Sequence, residues 1–295
     1  MSFLACLILT FSFAAARRVI AIGDLHGDVQ ATLSTLRIAG LVEEQSQSWI
    51  GGDAQLIQLG DVLDRGTQER EVWDLMRELQ GEAHKAGGQV TMLLGNHEIL
   101  NACGQARSFI HPTALDAFGS DRVAAFAPGG ELATRLADCP VVVIVDDTAY
   151  VHAALPPGAT RRSCEELNAA TRAWLLGEQP YPPPQLLPDH HSPLWNRAYS
   201  SPSDVEPSPR HCRELNEELA LLGVERCVVG HTPQRRINSA CGGAVWRCDT
   251  GMSAWVMDGV HEALEICDGH VKVLRRSKGA ASEASGERFA SRDFF

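Results

Sequence analysis

Val19-Ile20-Ala21-Ile22-Gly23-Asp24-Leu25-His26-Gly27-Asp28 carries the reading of the fold. Four consecutive apolar residues are too few for a buried helix and do not alternate as a half-exposed strand would, so they read as a strand covered on both faces. The strand stops at a glycine, where the backbone can turn sharply, and an aspartate and a histidine follow at once. The pattern recurs. Leu56-Ile57-Gln58-Leu59 runs into Gly60-Asp61, Val90 to Leu94 into Gly95-Asn96, and Cys227-Val228-Val229 into Gly230-His231. Val141 to Val145 ends at Asp146-Asp147, and Tyr150-Val151 leads to His152. Between these runs lie helical stripes, one at Val72, Met76, Leu79 and Ala83 and another at Leu215, Leu219 and Leu222. Strands alternating with helices predict an α/β (α+β) layered fold. From Ala244 to Leu274 strands dominate, with hairpin-like turns at Asp258-Gly259 and Asp268-Gly269, which predicts a second sheet. No internal repeat is present.

The chain has 295 residues, 44% of them hydrophobic, and a formal net charge of -11. That length and composition support one large core and exclude disorder throughout. The acidic balance disfavours nucleic acid as a partner, because phosphate backbones call for a basic surface. It leaves an anionic substrate open, since a pocket can be locally positive on a negative protein. Residues 1–16 stand apart: Phe3 to Ala16 is apolar except for Thr10 and Ser12, and Arg17-Arg18 follow. The run is too short to span a bilayer as a helix and reads as a signal-peptide apolar region with a small-residue cleavage site, although no Lys or Arg precedes it. A secretory or organellar location follows from that reading. A cytoplasmic one follows if the segment instead covers the core or begins at a wrongly chosen start. The stretch 17–276 reads as one catalytic domain, expected to act as a monomer, and 277–295, rich in Ser, Ala, Gly and charge, as a flexible tail that Phe294-Phe295 could dock.

Nine cysteines occur, and eight remain without Cys6, an even number that permits disulfides in an exported chain. Cys139 and Cys227 open apolar runs and read as buried thiols; Cys241 and Cys248 flank a Gly-Gly turn and could pair across it. Two proline-rich stretches, Gly177 to Pro193 and Ser200 to Pro209, read as loops, with Trp195-Asn196-Arg197 between them.

The chemistry gathers at the strand ends, where α/β sheets bind ligands. Asp24, Asp61 and Asn96 offer oxygens; His26, His152 and His231 offer imidazoles. A lone Gly-Asp is more often a turn and a helix cap than a ligand, but six such groups in order exceed what one tetrahedral site holds. They suit two ions about 3.5–4 Å apart, with Asp61 as the shared carboxylate. The mixed N/O set without thiolate points to Mn, with Fe or Zn as alternatives. A pair of divalent ions makes hydroxide available at neutral pH, a nucleophile for phosphorus. His97, beside Asn96, is placed to protonate a leaving oxygen, Asp64 to favour its imidazolium, and Arg65 to hold phosphate oxygens with its planar fork. Asp28 and Glu98 read as braces for backbone amides around the ligands. His190-His191 reads as an exposed loop pair, Trp195 as a packing anchor, and His84, His111, His211, His261 and His270 as ordinary histidines.

Four boxes in this order, Gly23 to Gly27 (GDLHG), Gly60 to Gly66 (GDVLDRG), Gly95 to Glu98 (GNHE) and Gly230 to Pro233 (GHTP), resemble the signature of the PPP-type metallophosphoesterases, the phosphoprotein phosphatases. Leu93 to Asn101, the segment Ala127 to Val145 leading into Val151 to Leu155, and Ser192 to Ser200 are similar to the Shewanella-like branch. The resemblance covers Val19 to Leu274. It implies a central β-sandwich flanked by helices, the calcineurin-like metallophosphoesterase fold. It implies metal ligation by Asp24, His26, Asp61, Asn96, His152 and His231, with His97 as general acid paired to Asp64. Phosphate contacts fall to Arg65, to Asn96 and to Arg197 as a second clamp. The implied activity is hydrolysis of phosphotyrosine and/or phosphoserine/threonine in proteins, and the resemblance is to a branch that can favour phosphotyrosine. A diadenosine-tetraphosphate hydrolase is the alternative, but such relatives usually lack the Asp-Arg-Gly ending and carry Asp where Glu98 stands. A silent binding module would show lost ligands, and none is missing. After His152 the chain reads Ala153-Ala154-Leu155 where relatives often have a Gly, and Thr250 stands where they commonly have Val, departures expected to touch packing rather than chemistry.

Overall fold

The computed structural model describes residues 17–119, 121–200 and 205–276. The leader, Cys6 and the tail with Phe294-Phe295 lie outside the described residues. The elements in chain order are β1 (Val19–Ile22), α1 (Val29–Ile38), β2 (Gln55–Gln58), α2 (Glu69–Lys85), β3 (Gln89–Met92), α3 (Asn96–Ala102), α4 (Arg122–Phe126), α5 (Glu131–Leu136), β4 (Val142–Val145) and β5 (Thr148–Val151). They continue with α6 (Arg161–Leu175), α7 (Pro209–Leu222), β6 (Arg226–Val229), β7 (Asn238–Ala240), β8 (Val245–Arg247), β9 (Glu262–Cys267) and β10 (His270–Arg275). Two five-stranded sheets form, in the orders β10-β9-β1-β2-β3 and β4-β5-β6-β8-β7.

The apolar runs are explained by what covers them. In β1, Val19 and Ala21 face the second sheet, in one cluster with Ile57, Leu264 and Ile266 of their own sheet and Tyr150 and Val228 of the second. Ile20 and Ile22 belong to a different cluster, shared with the helices through Leu33, Leu36, Val72 and Met76. Successive side chains point to opposite faces, so a strand with both faces covered needs every position apolar. β1, β2 and β3 run parallel, with β1 pairing Val19 to Gln55 and Ile22 to Gln58. Their carboxyl ends therefore meet at one edge of the sandwich.

The helices follow their own rules. Asp28 caps α1 by accepting from Ala31 N at 2.9 Å. In α2 the stripe Val72, Met76, Leu79 and Ala83 is buried. In α7, Ser208 caps the start, Pro209 opens the first turn, Leu215, Leu219 and Leu222 are buried, and Gly223 ends it at φ 67°.

Three expectations change. The strands after Ala244 build no sheet of their own: β9 and β10 extend the first sheet beside β1, while β8 extends the second beside β6, with the preceding strand β7 on its outer side. Asp268-Gly269 does close a two-residue hairpin, both residues at positive φ. Asp258-Gly259 joins no strand pair; it ends a tight turn in which Gly259 N donates to Gly251 O at 2.9 Å. The disulfide joins Cys241 to Cys212, with Cα atoms 5.2 Å apart, not to Cys248. Cys248 sits fully buried between the sheets among Val228, Ile237 and Leu264, whereas Cys241 lies at the edge beside the first turn of α7. Cys139 and Cys227 are buried thiols. Among the described residues, no helix is long and apolar enough to cross a membrane.

Candidate active site

The loops after β1, β2, β3, β5 and β6 converge at one edge. The chain bends hard to deliver their side chains: His26, Asp61, Asp64, Arg65 and His231 all sit at positive φ, between 43° and 65°. Non-glycine residues rarely take this region, and each costs about 1–3 kcal/mol unless its surroundings impose it. Here they do. Glu98 accepts from Asp61 N at 2.9 Å, Val62 N at 3.0 Å, Leu63 N at 3.2 Å and Gly95 N at 2.8 Å, tying the second loop to the third. Leu25 N and His26 N both donate to Asp61 O at 3.0 Å. Two glycines permit the approach: a Cβ at Gly95 would stand 2.1 Å from Asp61 Oδ1, and one at Gly230 would stand 2.6 Å from Asp24 Oδ1.

The structure brings Asp24, His26, Asp61, Asn96, His97, His152 and His231 into one buried cluster. Asp61 Oδ2 lies 3.7 Å from His26 Nε2, 3.5 Å from His152 Nε2 and 3.9 Å from His97 Nε2. Asp24 Oδ2 is 3.9 Å from His26 Nε2. His152 Nε2 stands 3.0 Å from Asn96 Oδ1 and 3.2 Å from His231 Nδ1. Two triads with ligand atoms within 4.8 Å of one another result, His26-Asp61-His97 and Asp61-His152-His231, and Asp61 is common to both.

The outer contacts set the tautomers. His26 Nδ1 donates to Leu63 O at 2.9 Å and His152 Nδ1 to Leu59 O at 2.7 Å, so each Nε2 lone pair faces the cluster. His231 Nε2 is buried with no hydrogen-bond partner. Carboxylate and carbonyl oxygens and unprotonated ring nitrogens thus converge with few protons to share. Such a donor set is costly when buried by itself and fits divalent cations.

His97 is set apart by its partner: its Nδ1 lies 2.7 Å from Asp64 Oδ2. A network unforeseen from the sequence holds that carboxylate. Asn101 Nδ2 donates to Asp64 at 3.0 and 3.1 Å and to His97 O at 2.9 Å. Buried Arg122 donates to Asp64 Oδ1 at 3.1 Å, to Asn101 Oδ1 at 2.9 Å and to both oxygens of Glu69, which in turn accepts from Asp64 N at 2.9 Å. Asn101 stands four residues after His97 on α3, a spacing that signals a shared face. Arg122 lies in a stretch without any motif, and nothing in the sequence marks it.

Arg65 is half-buried over the Phe109 ring, 5.7 Å from its centroid. Arg197 Nη1 donates to Thr232 Oγ1 at 2.9 Å, which fastens the Arg197 loop to the His231 loop. Trp195 anchors that loop by donating to Leu186 O at 3.2 Å. Asp28 braces α1 and accepts from Ala254 N at 2.9 Å. His190 and His191 are exposed, with their rings tilted against each other at 4.0 Å.

Burial and crowding displace the ionisations. Burial, then Asp249 and Asp61, push the Asp24 carboxyl well above the usual range. Burial and Asp61 push Glu98 up to about 7, and burial does the same for Asp249, also to about 7. Burial and the His97 charge bring His26 down to about 3, and burial lowers His152 and His231 as well. Burial opposes the Asp61 charge, yet the four imidazoles around it outweigh that and hold its carboxyl low. His97 moves upward: burial works against its charge, but Asp61 and the Asp64 hydrogen bond prevail.

These shifts predict a pH response of the metal-free chain. Near neutrality native Glu98 and Asp249 retain protons that the unfolded chain has already lost, so the native state binds more protons and stability falls as pH rises. The lowered histidines act with the opposite sign, but only below about pH 6.5, where the unfolded chain protonates them. The unfolding free energy of the metal-free protein, read from urea melts, should therefore drop between about pH 6.5 and 8, by on the order of 2 kcal/mol. Bound divalent metal, which favours ionised carboxylates, should flatten that slope. A metal-free midpoint that rises over this interval would refute the assignment.

The sequence matches the calcineurin-like phosphoesterase family over residues 17–235. It is 31% identical to Shewanella-like protein phosphatase 2 of Arabidopsis thaliana, over 88% of this chain and 77% of that protein. It is 32% identical to Shewanella-like protein phosphatase 1 of Plasmodium berghei, over 88% and 74% respectively. The fold superposes with a TM-score of 0.70 on a cold-active protein-tyrosine phosphatase of a psychrophilic Shewanella species, 24% identical, covering 88% of this chain and 80% of that one. With the layered sandwich and the strand-end cluster already in place, these likenesses settle the family: the chain belongs to the calcineurin-like phosphoesterases and, within them, to the Shewanella-like protein phosphatases.

Proposed function

We propose that the chain is a two-metal phosphomonoesterase that dephosphorylates proteins at phosphotyrosine or phosphoserine/threonine. The observation that carries this reading is Asp61, a buried carboxylate common to both ligand triads, with a protonatable His97–Asp64 pair beside it. Asp24, His26 and Asp61 would hold one ion, and Asp61, Asn96, His152 and His231 the other. Manganese is the proposed metal, because the donors are oxygen and imidazole without thiolate. Two divalent ions in this set would supply hydroxide at neutral pH and polarise the phosphoryl oxygens.

The chain's own groups do the rest. Arg65 and Arg197 orient phosphate with their planar forks, and the Asn96 side chain borders the same space. His97 Nε2 donates its proton to the departing oxygen as the phosphorus–oxygen bond breaks. Asp64, accepting from His97 Nδ1, keeps the imidazole charged and aimed. Asn101 and Arg122 fix Asp64 in turn. The Cys212–Cys241 disulfide supports a proposed location in an oxidising compartment, in keeping with an exported chain.

The test is turnover of a peptide panel carrying phosphotyrosine, phosphoserine or phosphothreonine, with diadenosine tetraphosphate included, in the presence of Mn. Phosphopeptides should be hydrolysed with higher kcat/KM than the dinucleotide. Preference for the dinucleotide would replace this reading by the small-molecule one.

A further inference from the structure

Phe109 stands beside the proposed proton donor and the proposed phosphate clamp. Its ring lies 5.0 Å from the His97 ring at an interplanar angle of 78°. The Arg65 guanidinium sits 5.7 Å from its centroid. The residue is held in place, because Arg65 N donates to Phe109 O and Phe109 N to Ala106 O, both at 2.8 Å. It nevertheless keeps 36% of its surface open. Two residues on, His111 packs edge-on against Trp255 at 4.8 Å, and Trp255 is 42% exposed. The Trp255 turn is fastened to the cluster by Ser253 Oγ donating to His26 O at 3.4 Å. One flank of the site is thus an open aromatic wall that neither metal ligation, nor proton transfer, nor core packing requires.

Resting on the phosphomonoesterase reading above, we infer that Phe109 is a specificity-determining residue that favours aryl over aliphatic leaving groups, which among protein side chains means phosphotyrosine. The leaving oxygen must come within about 2.6–3.2 Å of His97 Nε2 to take its proton. In phosphotyrosine a ring is bonded directly to that oxygen. Because the Phe109 ring lies 5.0 Å from the His97 ring, a ring one bond from that oxygen can reach the roughly 4.5–7 Å centroid range in which aromatic pairs attract. In phosphoserine the same oxygen carries one aliphatic carbon and then backbone, and the wall gains little to touch. The chemistry balances identically in both cases. The phosphorus–oxygen bond breaks, the departing oxygen receives the His97 proton, and a water-derived oxygen joins phosphorus without any redox change.

A phenol leaves more readily than an alkanol in any such enzyme, so the raw preference of the wild type decides nothing. The change in preference on substitution does, because intrinsic leaving-group ability cancels. The experiment uses the full metal-loaded chain and two peptides of one sequence that differ only in phosphotyrosine or phosphoserine. Phe109→Ala should lower kcat/KM for the phosphotyrosine peptide by roughly 3- to 10-fold and leave the phosphoserine peptide within about 2-fold. Phe109→Leu, which keeps apolar bulk and guards against misfolding, should shift the ratio in the same direction by less, and Phe109→Trp should preserve it. Equal losses on both peptides would overturn the inference, since Phe109 would then only steady His97 and Arg65. An unmoved ratio overturns it too. A wild type inert on both peptides and on p-nitrophenyl phosphate overturns the hydrolase reading itself, an outcome distinct from the other two.

Discussion

Asp61→Asn is expected to strip the chain of metal and activity together while leaving the fold at least as stable. The change is nearly isosteric, and the new amide oxygen can still accept from His97 N, which bonds Asp61 Oδ1 at 2.9 Å in the native chain. What disappears is the negative charge that lies 3.7 Å from His26 Nε2 and 3.5 Å from His152 Nε2, the one carboxylate both ions would share. An amide there turns N–H groups towards lone pairs arranged for a cation. Metal content should fall from about two ions per chain to below one. The loss of turnover should exceed the roughly 10–100-fold typical of residues that merely orient a ligand. Stability should move the other way in the metal-free protein. Asp61 raises the pKa of Asp24 and Glu98 through like-charge repulsion, and its removal relieves that strain. Higher melting temperature with lost function is the mark of a site kept at the expense of stability. Metal analysis beside a thermal melt reads both halves, and an unchanged metal count would refute the bridge.

How much of this was legible in the sequence differs between layers. β1, β2, β3 and β6 declared themselves because each is covered on both faces, so the apolar run is broken only by buried Gln58 in β2 and Thr91 in β3, and a glycine ends it. The seven residues of the cluster were legible for a related reason: strand-end geometry places six of them within a few positions of those glycines, and His152 directly after β5. The strands β9 and β10 showed their shape, through Asp268-Gly269, but not their place. Which sheet an antiparallel pair joins depends on long-range register, Val19 to Ile266 and Ala21 to Leu264, and local pattern holds no trace of it. The disulfide failed on the same ground. Cys241 and Cys248 are near in sequence, yet the strand between them carries Cys248 inward, while Cys212 arrives from α7. Arg122 was invisible because one buried arginine, supported by Glu69, Asp64 and Asn101 from three other segments, needs no motif of its own.

His97→Asn is expected to cut turnover by roughly 10²–10⁴-fold with metal content near two ions per chain. The asparagine amide can still donate to Asp64, so the support beneath the residue survives, but no ring nitrogen remains 3.9 Å from Asp61 Oδ2 to hand over a proton. The loss should track the leaving group. A phosphoserine peptide releases a strongly basic alkoxide and needs the proton most. p-Nitrophenyl phosphate releases a stable phenolate and should suffer least. The pH profile gives a second readout. His97 acts as an acid only while protonated, so activity must decline as pH rises through its pKa, and that pKa lies above the ordinary imidazole value because Asp61 and Asp64 favour the charge against burial. Divalent ions on Asp61 would offset much of its pull, which leaves Asp64, pinned by Asn101 and Arg122, as the partner that keeps the proton in place. The alkaline decline seen in the wild type should therefore vanish in the variant. Equal losses on both substrates, with the alkaline decline intact, would assign the proton to another group.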